Sequence, residues 1–268
     1  MSEDKQQKTY RGRIAPTPSG YLHEGHASTF KVAWSRARER NGDVVYRNDD
    51  LDKLRCRSEF AQAAMQDLKS LTINWDEGPD CGGKYGPYNQ SERADKYTAT
   101  LLKLAKEGLV YPCEKSRKEI QSFGNKSRVG NEYLLPQELL PDQKQYEKSE
   151  VDLNTNWRFR TQWKEKVSFV DGRKGKQCFE IGKDFADFLV WRKDGFASYE
   201  LATVVDDYLM NITEIVRGED LLISSARQCT LFDALNWGRP DFYHCELLVD
   251  MNGKKLSKSE RNLPRLIL

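Results

Sequence analysis

Apolar residues fall at helical spacing between about His23 and Arg40, where Phe30, Ala33, Trp34 and Ala37 share one face. Asn41-Gly42 ends that run. Val44, Val45 and Tyr46 follow as a short buried strand, and the acidic turn Asn48 to Asp52 closes it. A second helix is predicted over Ser58 to Leu71, and a third over Arg93 to Glu107 with Gly108 as its stop. Strands alternating with helices in this way predict an α/β core built on a parallel sheet.

The rhythm breaks between about Tyr111 and Ile181. The stretch 121–150 is polar and weakly periodic, as expected of an insertion made of loops and short elements. Alternation returns at Trp157-Arg158-Phe159-Arg160 and Val167-Ser168-Phe169, which predicts strands. Helices are then expected over Tyr199 to Met210 and Ser224 to Leu235. Strands are expected over Ile212 to Val216 and Glu246 to Val249. The organisation expected is therefore 1–110 and 186–268 as two halves of one domain, with 111–185 as a smaller inserted α/β subdomain.

Composition narrows the class. No window of the 268 residues approaches the roughly 18–20 apolar residues of a membrane span. The N-terminus, MSEDKQQKTYRGR, has no apolar core, so no signal peptide is expected and the location expected is cytoplasmic. Six cysteines are scattered without a C-x-x-C pair and read as reduced thiols.

Lys plus Arg number 43 and Asp plus Glu 41, but the near balance hides two basic stretches. Arg158, Arg160, Lys164, Lys166, Arg173, Lys174 and Lys176 interleave with Trp157, Phe159, Trp163 and Phe169. Lys254, Lys255, Lys258, Arg261 and Arg265 meet only Glu260. Such stretches suit a polyanion, and equally a solvated amphipathic hairpin.

Two segments carry candidate chemistry. In Arg13-Ile14-Ala15-Pro16-Thr17-Pro18-Ser19-Gly20-Tyr21-Leu22-His23-Glu24-Gly25-His26, two of the three histidines sit at a helix start. Unsatisfied N–H groups there attract phosphate, Gly25 allows close approach, and two imidazoles can donate to it. A zinc-protease reading fails, because the histidines are three apart rather than four. The second segment, Gly253-Lys254-Lys255-Leu256-Ser257-Lys258-Ser259, can wrap a polyphosphate. Alone, it would be as well explained by a solvated loop.

Together the pair resembles the HIGH and KMSKS motifs of class I aminoacyl-tRNA synthetases, as His23-Glu24-Gly25-His26 and Lys255-Leu256-Ser257-Lys258-Ser259. The first segment is similar to its glutamyl-tRNA synthetase version. Arg47-Asn48-Asp49-Asp50-Leu51-Asp52, the block from Ser198 to Asp207, and Ile215-Val216-Arg217-Gly218-Glu219-Asp220 are similar to further blocks of that family. The chain stops ten residues after Lys258, where a full-length enzyme carries an anticodon-reading half. That resembles the truncated paralogues that load glutamate onto the queuosine base of tRNA(Asp).

The resemblance implies a Rossmann-like class I catalytic core. It implies ATP as substrate with Mg²⁺, glutamate as the amino acid, and queuosine-bearing tRNA(Asp) as acceptor. His23, Gly25, His26, Lys255, Ser257 and Lys258 would handle ATP, with His23, His26 and Lys258 as the catalytic set. Arg13, Thr17, Asp49, Tyr199 and Arg217 would hold glutamate, the arginines taking its carboxylates and Asp49 its ammonium. In isolation Arg13 or Arg217 would pass for a surface ion-pair residue and Asp49 for a turn former.

Asp49 stands where the family usually has Glu, and Thr203 where full-length enzymes often have Asn; both bear on amino-acid choice. Cys113 sits where the paralogues often begin a zinc site, but Lys115 replaces the second cysteine, so no zinc is expected. Asp50, Asp52, Asp206 and Asp207 read as backbone and turn anchors, and His244 as a packed or partly exposed residue. A monomer with no membrane partner is expected. Two alternatives are a glutamate-adenylating enzyme with another acceptor, and a catalytically silent tRNA-binding paralogue.

Overall fold

The structure is a computed structural model and describes residues 9–142 and 150–248. The chain begins with β1 (Arg11–Ile14), α1 (Glu24–Glu39), β2 (Asp43–Tyr46), α2 (Ser58–Ser70) and α3 (Ala94–Lys106). There follow β3 (Val110–Pro112), α4 (Arg117–Ser122), β4 (Trp157–Phe159), β5 (Lys166–Asp171) and β6 (Gly175–Glu180). The remainder is β7 (Phe188–Arg192), β8 (Phe196–Ala197), α5 (Tyr199–Leu209), β9 (Glu214–Gly218), α6 (Leu222–Ala234) and β10 (Asp241–Cys245). These elements fall into two compact units.

The first unit takes the described residues up to Glu92, then Leu209–Asp220, then those from Pro240. Its strands run parallel: β1 with β2, from Arg11 opposite Asp43 to Ile14 opposite Tyr46, and β9 with β10. The Thr213 N–H, just before β9, donates to the Arg11 carbonyl at 2.9 Å, setting β9 beside β1. A parallel pair needs a crossover, and α1 provides it between β1 and β2. Ala27, Ala33 and Ala37 form its buried face, small enough to let the helix lie close to the strands.

Ile14, Leu22, Val44, Tyr46, Leu68 and Ile73 build the core beneath, each contributing about 1.5–3 kcal/mol by leaving water. Asn41 ends α1 at a φ of +49°, and a Cβ at Gly42 would run into the Tyr10 carbonyl, so the turn into β2 requires glycine there.

The second unit takes Arg93–Tyr208 and Leu221–Arg239. Strands β3, β4, β7 and β8 form an antiparallel sheet, and β5 and β6 a hairpin with Asp171 opposite Gly175 at its tip. Along β5 exposed and buried positions alternate. The polar segment after Cys113 holds the short α4, whose start is a capping box of Ser116 and Glu119.

Helix α5 is buried from Glu200 through Asp207. Its Asp206 accepts from Arg93 Nε at 2.6 Å and Tyr97 Oη at 2.8 Å. Asp50 accepts from the Ser91 N–H and hydroxyl in the first unit, and Asp52 from Arg55 Nε and the Leu54 N–H. Asp50 and Asp52 are thus anchors of backbone and turns, while Asp206 anchors side chains.

Helix bounds agree with the apolar periodicity to within two residues at most ends. One strand does not. The apolar Leu247-Leu248-Val249 suggested a strand from Glu246, but the strand lies upstream at Asp241–Cys245. It is fixed by its register with β9, Phe242 facing Ile215 and His244 facing Arg217. Leu248 stays 41% exposed, whereas His244 is fully buried. The same register places β9 at Glu214–Gly218, two residues later than expected.

Candidate active site

Five pieces of the first unit position the predicted residues. Strand β1 carries Arg13, the turn after it carries Thr17, and the start of α1 carries His23, Gly25 and His26. Strand β9 carries Arg217, and the segment after β2 carries Asp49.

The helix start is capped by its own imidazoles. His23 is the N-cap, with extended φ −119° and ψ 169°. Its Nδ1 accepts from the Gly25 N–H at 3.2 Å, and the His26 Nδ1 accepts from the His23 N–H at 3.5 Å. In the neutral ring a nitrogen that accepts cannot carry the proton, so both rings bear it on Nε2. The ring centroids lie 3.7 Å apart. Two Nε2–H donors are thereby grouped at the positive end of a sixteen-residue helix. A Cβ on Gly25 would stand 3.0 Å from His23 Cε1 and 3.1 Å from Nδ1, tighter than ordinary contact.

Arg13 and Arg217 are 5% and 4% exposed. Arg13 Nη1 donates to the Val216 carbonyl at 2.8 Å, next in sequence to Arg217. The Arg217 guanidinium lies over the Phe242 ring, 5.4 Å from its centroid. Guanidinium groups are the side chains that meet carboxylates through paired hydrogen bonds, and here two of them stand on neighbouring strands. The Thr17 carbonyl accepts from the Ser19 N–H, holding the Pro-Thr-Pro turn, and the Asp49 N–H donates to Pro16.

Arg47, given no separate role from the sequence, proves central to this corner. It is fully buried and its Nε donates to Asp49 Oδ1 at 2.7 Å. The shorter Asp49 side chain is therefore held by a cation two residues before it, a signal present in the Arg-x-Asp spacing.

Nearby in the same unit, Glu214 accepts from Tyr10 Oη at 2.5 Å and from Arg36 Nε and Nη2 at 2.6 Å. Burial pushes its carboxyl up, but the bonds and charge of Arg36 outweigh that and hold it below the usual glutamate range. This triad ties the chain before β1, helix α1 and strand β9 together.

Tyr199 belongs to the second unit. It opens α5, is 40% exposed, and lines a cavity of about 650 Å³ with Arg158, Asp187, Glu200 and Arg227. Periodicity gave no sign of that cavity. Thr203 is 1% exposed on α5. Lys255, Ser257 and Lys258 lie outside the described residues.

Cys113 is buried at the end of β3, where its N–H donates to the Asn156 carbonyl at 2.8 Å. The loop beyond α4 is fastened by Arg128, whose Nε and Nη2 grip Asp184 at 2.9 and 2.8 Å, and by Ser127 Oγ on the Asp184 carbonyl. Among the described residues no three His, Cys, Asp or Glu side chains are grouped to hold a metal ion. No helix of the described residues is long and apolar enough to cross a membrane.

Residues 9–266 match the family described as tRNA synthetases class I (E and Q), catalytic domain. The chain is 38% identical to a Glutamyl-Q tRNA(Asp) synthetase of Nitratidesulfovibrio vulgaris, over 94% of this chain and 79% of that one. It is 41% identical to another from Symbiobacterium thermophilum, over 92% and 77%. A solved glutamate-tRNA synthetase from Elizabethkingia anophelis superposes with a TM-score of 0.78 at 29% identity, covering 94% of this chain and 53% of that one. The chain thus spans about half the length of that solved enzyme. The parallel strands, the capped histidine pair and these likenesses agree: the chain belongs to the class I tRNA synthetases of the E and Q type.

Proposed function

We propose that this protein activates glutamate with ATP and transfers it to the queuosine base of tRNA(Asp). The observation that carries the ATP half is the start of α1, where two imidazoles cap the helix through Nδ1, which leaves Nε2 as the donor atom of each neutral ring. Such fixed donors stabilise phosphate charge without reorganising. Arg13 and Arg217, buried on adjacent strands, suit the two carboxylates of glutamate. Asp49, with Arg47 behind it, suits the ammonium, and Thr17 supplies a hydroxyl. For Tyr199 the assignment rests on the sequence motif.

In the first step a glutamate α-carboxylate oxygen bonds to the α-phosphorus of ATP, and the bond to pyrophosphate breaks. His23 and His26 hold the phosphates and Gly25 lets them come close, while the motif gives Lys255 and Ser257 a part in binding ATP. Lys258 meets the charge that gathers on the departing pyrophosphate. In the second step an acceptor hydroxyl attacks the glutamyl carbonyl and AMP leaves. The nucleophile belongs to the acceptor, so the chain needs none of its own. Magnesium would arrive with the ATP phosphates, as is usual for that ion. We place the protein in the cytoplasm, acting as a monomer.

The curated relatives named Glutamyl-Q tRNA(Asp) synthetase support the choice of acceptor. ATP–pyrophosphate exchange with glutamate, run without tRNA, tests activation; its absence would sink the proposal. Labelled glutamate should then pass to queuosine-containing tRNA(Asp) and not to the unmodified tRNA. Equal charging of both, or charging of tRNA(Glu), would overturn the acceptor.

A further inference from the structure

We propose that the cavity of the second unit binds the acceptor base by its guanine-type edge, with Arg227 and Glu132 as the reading pair. This rests on the transfer reading above and deepens it. The cavity of about 650 Å³ is far larger than an amino-acid side chain needs.

Charge decides the ligand class. Arg117, Arg158 and Arg227 on its walls meet Glu132, Asp187 and Glu200. Three guanidinium groups against three carboxylates leave no surplus positive charge for a phosphate and no surplus negative charge for a metal ion. What remains is a polar, near-neutral body that offers both donors and acceptors. Tyr133 and Phe188 add aromatic surface for a flat ring.

The internal bonds show which groups are left to read it. Asp187 is engaged by Tyr111 Oη at 3.0 Å and by the Thr161 N–H and hydroxyl at 2.9 and 2.6 Å. Glu200 is held by Ser224 Oγ and Gln228 Nε2, both at 2.9 Å. Glu132 is different: its side chain is 55% exposed and its main partner is Arg227. Arg227 is 9% exposed, donates through both Nη atoms to Glu132, and carries its Nη1 3.8 Å from Glu200.

A guanine-type edge presents two adjacent donors, N1–H and the 2-amino group, beside the O6 acceptor. A carboxylate takes the donors and a guanidinium serves O6. Adenine offers the reverse order and would leave both protein charges mispaired. Queuosine, a 7-deazaguanosine, keeps the guanine edge. The same unit also bears Lys164, Lys166, Arg173, Lys174 and Lys176, all exposed around the β5–β6 hairpin, as an RNA backbone would require.

Glu132→Gln and Arg227→Lys in the full chain test this, measured by glutamate-dependent ATP–pyrophosphate exchange and by glutamyl transfer to queuosine-containing tRNA(Asp). Free queuine, guanine and adenine serve as competitors of transfer. Exchange should stay within about twofold of the parent, while KM for the tRNA rises at least about fivefold. Queuine should inhibit the parent competitively against tRNA, adenine should not, and both variants should lose queuine inhibition in step with KM.

Unchanged KM and unchanged queuine inhibition in both variants would overturn the inference while leaving the transfer reading intact. Exchange and transfer falling in parallel would overturn it too, since the pair would then only hold the fold. A parent protein that exchanges but transfers to no queuosine-bearing RNA would defeat the functional reading itself, and this inference with it.

Discussion

At Gly25 one missing methyl group keeps a histidine in place. The Cβ of alanine would press on the His23 ring from 3.0 Å. Gly25→Ala should leave thermal stability unchanged or slightly raised, because alanine is the better helix former. Exchange kcat should nevertheless fall by about 100-fold, the cost of moving a positioned group by an ångström. A melting curve beside an exchange assay separates the two effects. Lys258→Ala should lower exchange kcat far more than glutamate affinity, because its charge matters only as pyrophosphate leaves; equal losses would contradict that role. At this scale the sequence was informative where chemistry is written in consecutive residues: His23, Gly25, His26, Arg13 and Arg217 were all picked out by motif. Arg227 and Glu132 were invisible because 95 positions separate them, and only folding pairs them.

Among elements, the join of β1, α1 and β9 at Glu214 sets an acid limit on stability. The folded carboxyl titrates below its unfolded value of about 4.3. Its stabilisation is therefore complete above that value and is lost as pH falls through the folded one. Glu214→Gln should cost about 2 kcal/mol at pH 7, and the difference from the parent should shrink toward pH 3. Urea unfolding at several pH values measures this. The loop after α4 makes a second case. Arg128 and Ser127 fasten it to Asp184; because Lys115 stands where a second cysteine ligand would, purified protein should carry no stoichiometric zinc, and chelation should not shift its melting temperature. Elemental analysis with and without EDTA checks both. Helices were legible because their periodicity is local. Strand β10 was not, because its place is set by a partner strand distant in sequence and not by the most apolar run.

For the whole molecule, net charge says less than its distribution. A balance of +2 coexists with five exposed cations at the β5–β6 hairpin of the second unit. The Asp171 carboxylate there bonds the Arg173 and Lys174 N–H groups within the turn, so it is occupied in shaping the tip. Transfer to tRNA should therefore weaken steeply with salt, while exchange without tRNA changes little. Lys166→Ala combined with Lys176→Ala should reduce the slope of log KM against log salt by about 1–2. The composition alone suggested a polyanion partner and could not choose it over a solvated hairpin. The exposure pattern of β5 and β6 puts Lys166 and Lys176 at the surface, and the salt slope decides whether they are used.

The scarcity of histidine has a use of its own. Only His23, His26 and His244 are present, and His244 is fully buried in β10. An imidazole nitrogen-15 spectrum of this protein would hold just three spin systems. The two from α1 should both show a pyridine-type Nδ1 and a protonated Nε2. Nucleotide arrival could then be watched as a displacement of those Nε2 resonances, giving a label-free reporter built into the helix cap.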